Sequence, residues 1–211
     1  MVALNERWLV KVSVLGEVAN PVMRDIPYRV TPDGEPLVLP GVGGIAYNVR
    51  VGDSAVGWAG DHVEPEMSIK HGGAKGEPRA ADTALNVLSC IGNEAVVVSG
   101  DAKGAKGVVV GKHGGIEHVL VDFEPEVLEK LCIGDKVLVK AYGWGLKILD
   151  APDVKVMNAD PKLIKAMNLK LEDEKLTVPV THVVPAAIMG SGLVQCTATL
   201  ETMTSSSSTR R

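Results

Sequence analysis

The feature that most constrains this chain is the close spacing of glycine and proline between short valine-rich runs. The sequence has 211 residues, of which 23 are glycine and 12 are proline. Runs such as WLVKVSVL, EAVVVS and DKVLVKA lie between these turn-forming residues. Alternating or continuous apolar runs of this length predict short β-strands. Long helices do not separate the strands, which argues against a Rossmann fold or a barrel of βα units.

We predict strands in about nine segments. They lie at residues 8–15, 45–50, 55–58, 94–99, 107–111, 116–123, 135–141, 153–158 and within 176–184. Three modest helices are predicted, at residues 79–91, 125–131 and 161–168. The first has an apolar face and ends at Gly92, and Asp160-Pro161 is a typical start for the third.

These elements predict an α+β fold that is mainly antiparallel β, with a barrel-like part similar to SH3 or KOW barrels and three short helices. We expect a single globular domain over residues 1–193, and the sequence leaves open a division into two subdomains that meet near residues 92–124. Only 3% of the residues are aromatic, so the core must be built from valine, leucine, isoleucine, alanine and methionine.

The net charge and the cysteine content indicate the cellular compartment and the kinds of partner that this chain can bind. The formal net charge is −4, which gives no general attraction to nucleic acid or to anionic lipid. No run of 18 apolar residues occurs, and the N-terminus lacks the pattern of a signal peptide. The three cysteines are far apart and form no CxxC pair. We therefore expect a cytoplasmic protein with reduced thiols and no membrane anchor, in which the net charge disfavours a nucleic-acid partner.

The glycine-rich stretch SGDAKGAKGVVVGKHGG, from Ser99 to Gly115, is the most conspicuous loop. It is not a phosphate-binding P-loop, because Gly111-Lys112 is followed by a histidine and a strand. Its spacing Gly-x-x-Lys-Gly-x-x-Gly from position 100 resembles the KOW motif, in which such loops contact RNA or protein. The alternative is a glycine-rich connection between strands, with Lys103 and Lys106 solvated.

The densest cluster of titratable groups is GDHVEPE, from Gly60 to Glu66. In an extended chain, His62, Glu64 and Glu66 would point to the same side. An imidazole and carboxylates on one face can bind a divalent metal or act as acid and base. We therefore predict catalytic roles for Asp61, His62, Glu64 and His71, and a metal site at His62 and Glu64. The alternative is a surface loop with solvated charges.

A third set of polar residues surrounds the predicted strand at 116–123. His113, His118 and Asp122 belong to it, and His118 is most simply a hydrogen-bonded core histidine. Lys103, Lys106 and His113 are predicted to bind an anionic substrate. Cys90, at the end of the first helix, is expected to be a packed thiol. His182 has no evident partner in the sequence.

The tail after Leu193, VQCTATLETMTSSSSTRR, continues no upstream pattern. One prediction is a disordered end. The other is a change of reading frame, because the same codons, read one base earlier, permit the sequence GAVHSYSGDYD.

Three longer stretches resemble a bacterial and archaeal family of uncharacterised proteins, known only as a domain of unknown function. They are PGVGGIAYNVRVGDSAVGWAGDHVEPEMSI, LNVLSCIGNEAVVVSGDAKGAKGVVVGKHGGIEHVLVDF and PVTHVVPAAIMGSGL. The resemblance covers most of residues 9–193 and implies members that continue after GSGL with a GDYD-like segment, from which this tail departs. It also implies a glycine where this chain has Glu66. It implies no reaction and no cofactor.

The sequence thus leaves three functions open. The first is a small-molecule enzyme, either a metal-assisted hydrolase or a lyase, because polar groups are concentrated in its glycine-rich loops. The second is a KOW-like module that binds RNA or a protein partner. The third is a non-catalytic scaffold within a homo-oligomer.

Overall fold

The computed structural model describes residues 2–23, 28–30, 33–38, 42–51, 53, 64–71, 79–113, 118–173, 175–180 and 199–202. The strands, in chain order, are β1 Val12–Val18, β2 Tyr28–Val30, β3 Pro36–Val38, β4 Ile45–Ala46, β5 Glu66–Lys70, β6 Glu94–Val97, β7 Lys106–His113, β8 His118–Asp122, β9 Lys136–Ala141, β10 Val154–Met157, β11 Lys170–Glu172, β12 Lys175–Thr177 and β13 Thr199–Thr202. The α-helices are α1 Arg79–Leu88, α2 Pro125–Leu128 and α3 Pro161–Ala166, and a 3-10 turn covers Glu6–Trp8.

Six strands form a closed antiparallel barrel. Neighbours follow the order β1-β9-β6-β7-β8-β5, and β5 pairs again with β1, which closes the ring. The short strand β4 is added at β5. Closure leaves the barrel strands with no unpaired edge along the ring. The predicted α+β class, with a mainly antiparallel barrel and three short helices, is confirmed.

The barrel interior is a valine-rich core, as the low aromatic content predicts. Alternate positions of each strand point inward. In β9, for example, Val137 and Val139 are fully buried while Lys140 is exposed. Leu85 of α1 joins this core. A Cβ at Gly16 would lie 3.0 Å from Leu85 Cδ2, so the missing side chain makes room for the helix against β1.

A second, smaller apolar cluster lies outside the barrel core and includes Ile148, Ala159 and Ile164. Asp160 caps α3 by accepting a hydrogen bond from the Lys162 N–H at 2.7 Å, as the sequence predicts. Its other oxygen accepts from Asn93 Nδ2 at 2.9 Å. This buried contact joins α3 to the segment before β6. The single domain over residues 1–193 stays a prediction.

Several segments differ from the predicted elements or lie outside the described residues. The first strand begins at Val12, because a 3-10 turn closes over Glu6–Trp8 through a hydrogen bond from Leu9 N–H to the Glu6 carbonyl. Strand β5 was not predicted at all. The second half of the predicted hairpin, residues 55–58, lies outside the described residues. In the tail, Thr199–Thr202 pairs with β10, and the disordered end and the frame change stay predictions.

The longest helix in the described part of the chain, α1, has ten residues. None of the described helices combines the length and apolarity needed to cross a membrane.

Candidate active site

A buried glutamate and two histidines meet on the outer face of the barrel. Inward-facing residues of β5 and β8, such as Met67 and Val119, belong to the barrel core. Their neighbours Ser68 and His118 therefore face outward. Both are nevertheless buried, with exposed fractions of 0% and 3%. The outer face of β5, β8 and β7 is thus covered at this point.

The pairing of β7 with β8 places the two imidazoles side by side. His113 is directly opposite His118 in the antiparallel register. A shift of register between Val109 and Gly111 precedes this pair. Because the bulge changes which residues of β7 face outward, it allows His113 to share the outer face with His118.

Glu64 reaches these histidines because the chain bends at Glu66. In a regular strand, residues 64 and 68 would be about 13 Å apart. Glu66 instead has φ 58, in the left-handed region that favours glycine. With this bend, the Ser68 hydroxyl donates a hydrogen bond to Glu64 Oε2. The resemblance-based expectation of glycine at position 66 fits this backbone conformation.

Glu64 contacts the Nδ1 atom of each of the two imidazoles. His113 Nδ1 lies 2.5 Å from Glu64 Oε1, and His118 Nδ1 lies 2.9 Å from Glu64 Oε2 and 3.2 Å from Oε1. All three side chains are buried, with 4% of Glu64 and 6% of His113 exposed. A carboxylate at Nδ1 fixes the ring orientation and favours the tautomer with the proton on that nitrogen.

Glu64 is ionised in this environment. Burial opposes the charge, but the hydrogen bonds from His118, Ser68 and His113 outweigh it and lower the pKa of Glu64 below its ordinary value. The outcome is a buried carboxylate whose two oxygens are both occupied by donors. The alternative reading of this segment as a surface loop with solvated charges is therefore wrong for Glu64 and for Glu66, which is 1% exposed.

Two glycines let a neighbouring segment cover His118. Gly43 has φ 94, and a Cβ there would lie 3.0 Å from His118 Cε1. Gly44 has φ 86, and its carbonyl accepts a hydrogen bond from Ser68 N–H at 3.0 Å. Any larger residue at position 43 would press on the imidazole, so this close approach holds His118 in place.

Glu66 belongs to a different cluster, although it is only two residues from Glu64. Its carboxylate accepts hydrogen bonds from Arg50 Nε and Val51 N–H, both at 3.3 Å, and from Phe123 N–H at 3.2 Å. Arg50 also contacts Asp122 at 3.4 Å. Burial, followed by the neighbouring Asp122, raises the pKa of Glu66 to about 7. Glu64 and Glu66 do not share a face as expected. Glu66 itself has a positive φ, which interrupts the alternation of side chains along the strand.

The other predicted site residues are dispersed. Asp61 and His62 lie outside the described residues. His71 is at the opposite end of β5 from Glu64, where its N–H donates to Asp82 Oδ1 at 3.1 Å. Lys103 is exposed in the turn between β6 and β7, and Lys106 begins β7, seven residues before His113. Of the predicted residues that the structure describes, it brings together only Glu64 and His113.

The glycine-rich stretch connects the strands of a β-hairpin. Gly100 and Gly104 have φ 69 and φ 93, and β6 pairs with β7 on either side of them. The KOW resemblance of this loop is not confirmed. RNA binding through Lys103 and Lys106 stays a prediction.

Lys112 and Cys90 lie close enough to interact electrostatically, near the end of α1. Lys112 Nζ donates to the Val87 carbonyl at 3.3 Å, and burial lowers the pKa of Lys112 to about 8. Cys90 is 1% exposed, and burial raises the pKa of its thiol to about 11. A packed thiol, as predicted, fits this environment. Cys132, the other described cysteine, is also a free thiol.

A metal site at His62 and Glu64 stays a prediction. Within the described ranges, no group of three or more His, Cys, Asp and Glu side chains could hold a metal ion.

Sequence reasoning missed the contacts of Ser68 and the Arg50–Glu66–Asp122 cluster. It predicted that His118 is hydrogen-bonded, and the structure shows this residue buried and bonded on the outer face of the barrel, but it did not connect His118 to Glu64, 54 positions earlier. One signal for the site was present in the sequence. His113 and His118 are polar residues at strand positions, and they lie on either side of the short segment 114–117.

Comparison with known proteins identifies the family but no activity. The family described as the N-terminal region of a domain of unknown function, DUF4438, matches residues 28–165. The crystal structure of TM1086 is similar, with 54% sequence identity and a TM-score of 0.80. That match covers 90% of this chain and 65% of the other, so this chain spans less than two thirds of that relative's length. No curated protein matches the chain. The chain belongs to the family of this domain of unknown function, as its sequence resemblance had indicated.

Proposed function

We propose that this protein is a cytoplasmic enzyme that acts on a small molecule by hydrolysis or elimination, with Glu64, His113 and His118 as its acid–base centre. The observation that carries the proposal is the pair of Nδ1 contacts from the two imidazoles to one buried carboxylate. A structural core alone would need neither a buried charge nor two titratable partners for it, since an apolar cluster of similar volume is often at least as stable.

The geometry suits proton transfer. When a carboxylate holds Nδ1, the imidazole Nε2 is the nitrogen that takes or gives a proton, as in carboxylate–histidine pairs of hydrolases. The negative charge of Glu64 stabilises the imidazolium that forms when one ring accepts a proton. With two rings side by side on β7 and β8, one can act as base and the other as acid. Both hydrolysis and elimination need such a pair.

Turnover assays on the purified protein test this proposal. Carboxylic esters, phosphate esters, lactones and amides probe hydrolysis, and β-hydroxy acids probe elimination of water, each with and without Zn²⁺, Mn²⁺ or Mg²⁺. We expect turnover of at least one class, with His118→Ala and Glu64→Gln slower by about 100-fold or more. His71→Ala is the matched control, because it removes a histidine at the far end of β5.

Two results would overturn the proposal. One is no turnover of any class under any metal condition, and the other is turnover that His118→Ala and Glu64→Gln leave unchanged. The metal prediction has a separate readout, since elemental analysis of wild type beside His62→Ala reports bound metal whether or not a substrate is found.

A further inference from the structure

A groove lined by aromatic residues lies between the N-terminal segment, the end of α1 and the residues after β9. Its walls include Trp8, Tyr142 and Trp144, and its volume is about 250 Å³. The chain has only three tryptophans, three tyrosines and one phenylalanine. Three of these seven aromatic residues therefore line one groove.

The tryptophans of this aromatic groove are unusually exposed. Trp8 is 72% exposed and Trp144 is 56% exposed. Val10, on the same wall, is 72% exposed. Large apolar side chains grouped in a concave site, rather than scattered singly, are typical of a surface that binds a partner.

Hydrogen bonds hold the walls in place. Trp144 Nε1 donates to the Val87 carbonyl at the end of α1, at 2.6 Å, and the Tyr142 hydroxyl donates to the Glu6 carbonyl at 3.1 Å. Asn5 Nδ2 donates to the Gly145 carbonyl at 3.0 Å. Each bond joins segments that are far apart in sequence, so the groove is formed before any ligand arrives.

Cations surround the groove. The Arg7 guanidinium lies 4.8 Å from the centre of the Trp8 ring, and the Lys11 ammonium lies 4.6 Å from that of Tyr142. Lys112 Nζ shares the Val87 carbonyl with Trp144. Among the described residues, two carboxylates lie close to Tyr142: Glu6 is paired with Lys165 at 2.6 Å, and Asp160 accepts hydrogen bonds from Asn93 and the Lys162 N–H. A local excess of positive charge on a chain of net charge −4 favours an anion at this place.

We propose that the aromatic groove binds a small planar aromatic anion, with its ring stacked against Trp8 or Trp144 and its acidic group near Arg7 and Lys11. The volume of about 250 Å³ suits one or two fused rings. Stacking and charge then contribute separately to affinity, and substitutions can separate them.

Calorimetry with three probes tests the proposal on the full chain. 2-Naphthoate carries a carboxylate on a planar ring, 2-naphthamide is its neutral counterpart, and adenosine monophosphate carries a phosphate. We expect saturable binding of 2-naphthoate or of adenosine monophosphate, and at least tenfold weaker binding of 2-naphthamide. Which of the two anions binds more tightly identifies carboxylate or phosphate as the natural acidic group.

Variants assign the binding to the groove. Trp144→Leu should weaken binding about tenfold, equivalent to about 1.4 kcal/mol, and Lys11→Met should weaken the anions but not the amide. Tyr47→Leu and Lys130→Met, an exposed aromatic and an exposed lysine outside the groove, are the matched controls and should bind like wild type. Far-ultraviolet circular dichroism confirms that each variant is folded.

Three outcomes would overturn the proposal. They are no saturable binding of either anion, equal affinity for the amide and the acids, or wild-type affinity in Trp144→Leu. A concentration-dependent dimer that Trp144→Leu abolishes, without probe binding, would assign the groove to a second copy of this chain instead. None of these outcomes depends on the Glu64 cluster, so this inference can fail independently of the proposed enzyme function.

Discussion

Glu64 and Glu66 are two residues apart, and both are buried, yet their surroundings have opposite effects on them. Two imidazoles and a hydroxyl surround Glu64 and lower its pKa, whereas burial and the Asp122 carboxylate raise the pKa of Glu66 to about 7. Burial alone therefore does not decide whether a carboxylate is charged, because the partners brought by other strands decide it. The same comparison marks Glu64 as the ionised centre of the candidate site and Glu66 as a proton-binding neighbour.

The largest expected difference between the two glutamates is in stability at pH 8. Glu64→Gln removes a charge that three donors stabilise, and it should lower the free energy of unfolding by about 2–3 kcal/mol. Glu66→Gln removes a charge that its surroundings disfavour, so at pH 8 it should not lower that free energy. Urea unfolding of both variants beside wild type measures the contrast. Equal losses would break the comparison.

The two sites should also differ in how stability depends on pH. The unfolded chain releases the Glu66 proton near the ordinary pKa of 4.5, and the folded protein releases it near 7. Between these values the folded state binds more protons, so the contribution of Glu66 to stability is largest at low pH and falls as pH rises through this range. The limit for one proton is about 1.4 kcal/mol per pH unit.

Unfolding measured from pH 5 to pH 8 isolates this contribution. Glu66→Gln should remove it, and Asp122→Asn should reduce it, because the neighbouring carboxylate contributes to the raised pKa. Glu94→Gln, at an ion-paired carboxylate on β6, is the control and should keep the slope. For Glu64 the sign is opposite, because its pKa is lowered. The charged Glu64 adds stability when the pH is above its ordinary pKa of 4.5, and this stability is lost as the pH falls through the lowered pKa. A Glu66→Gln variant with the wild-type slope would refute the assignment of the proton.

A backbone effect at position 66 should be smaller. Glu66→Gly and Glu66→Ala both delete the carboxylate and its contacts with Arg50, but only glycine adopts φ 58 without strain. Glu66→Gly should therefore be more stable than Glu66→Ala by about 1–2 kcal/mol. Thermal unfolding of the pair measures the difference. If alanine proved equal or better, the bend before β5 would not depend on a left-handed residue.

The smallest expected effect concerns the hydroxyl of Ser68. Ser68→Ala removes one of three donors to Glu64 and should lower the free energy of unfolding by about 1 kcal/mol, while the pKa of Glu64 rises toward its ordinary value. Ser99→Ala, which removes a hydroxyl bonded to Asp135 at 3.2 Å, is a useful comparison outside the site. A neutral Ser68→Ala would mean that the two imidazoles alone hold Glu64.

Local patterns predicted five of the six barrel strands, because the alternation of apolar residues determines which face is buried. Strand β9, the apolar face of α1 and the Asp160 cap of α3 all follow from neighbours within a few residues. Strand β5 was missed because Glu66, Ser68 and Lys70 occupy its outward positions, and nothing local shows that other segments bury the first two.

The candidate site was less predictable, for the same physical reason. Glu64 was identified from the density of charged residues around it, but its partners lie 49 and 54 residues later and depend on the register of β7 with β8. A bulge between Val109 and Gly111 helps to set that register, and no local sequence pattern specified it. Glu66 illustrates the opposite error, since a regular alternation was assumed through a residue whose φ is positive.

The central claim is that an ionised Glu64 holds both His113 and His118 through Nδ1. The most direct test is ¹⁵N-detected nuclear magnetic resonance of the histidine side chains, in wild type and in Glu64→Gln, from pH 6 to pH 8. We predict that Nδ1 carries the proton in both neutral rings of the wild type, and that the tautomer changes in Glu64→Gln. A proton on Nε2 in both neutral rings, or identical spectra for the two proteins, would contradict the account.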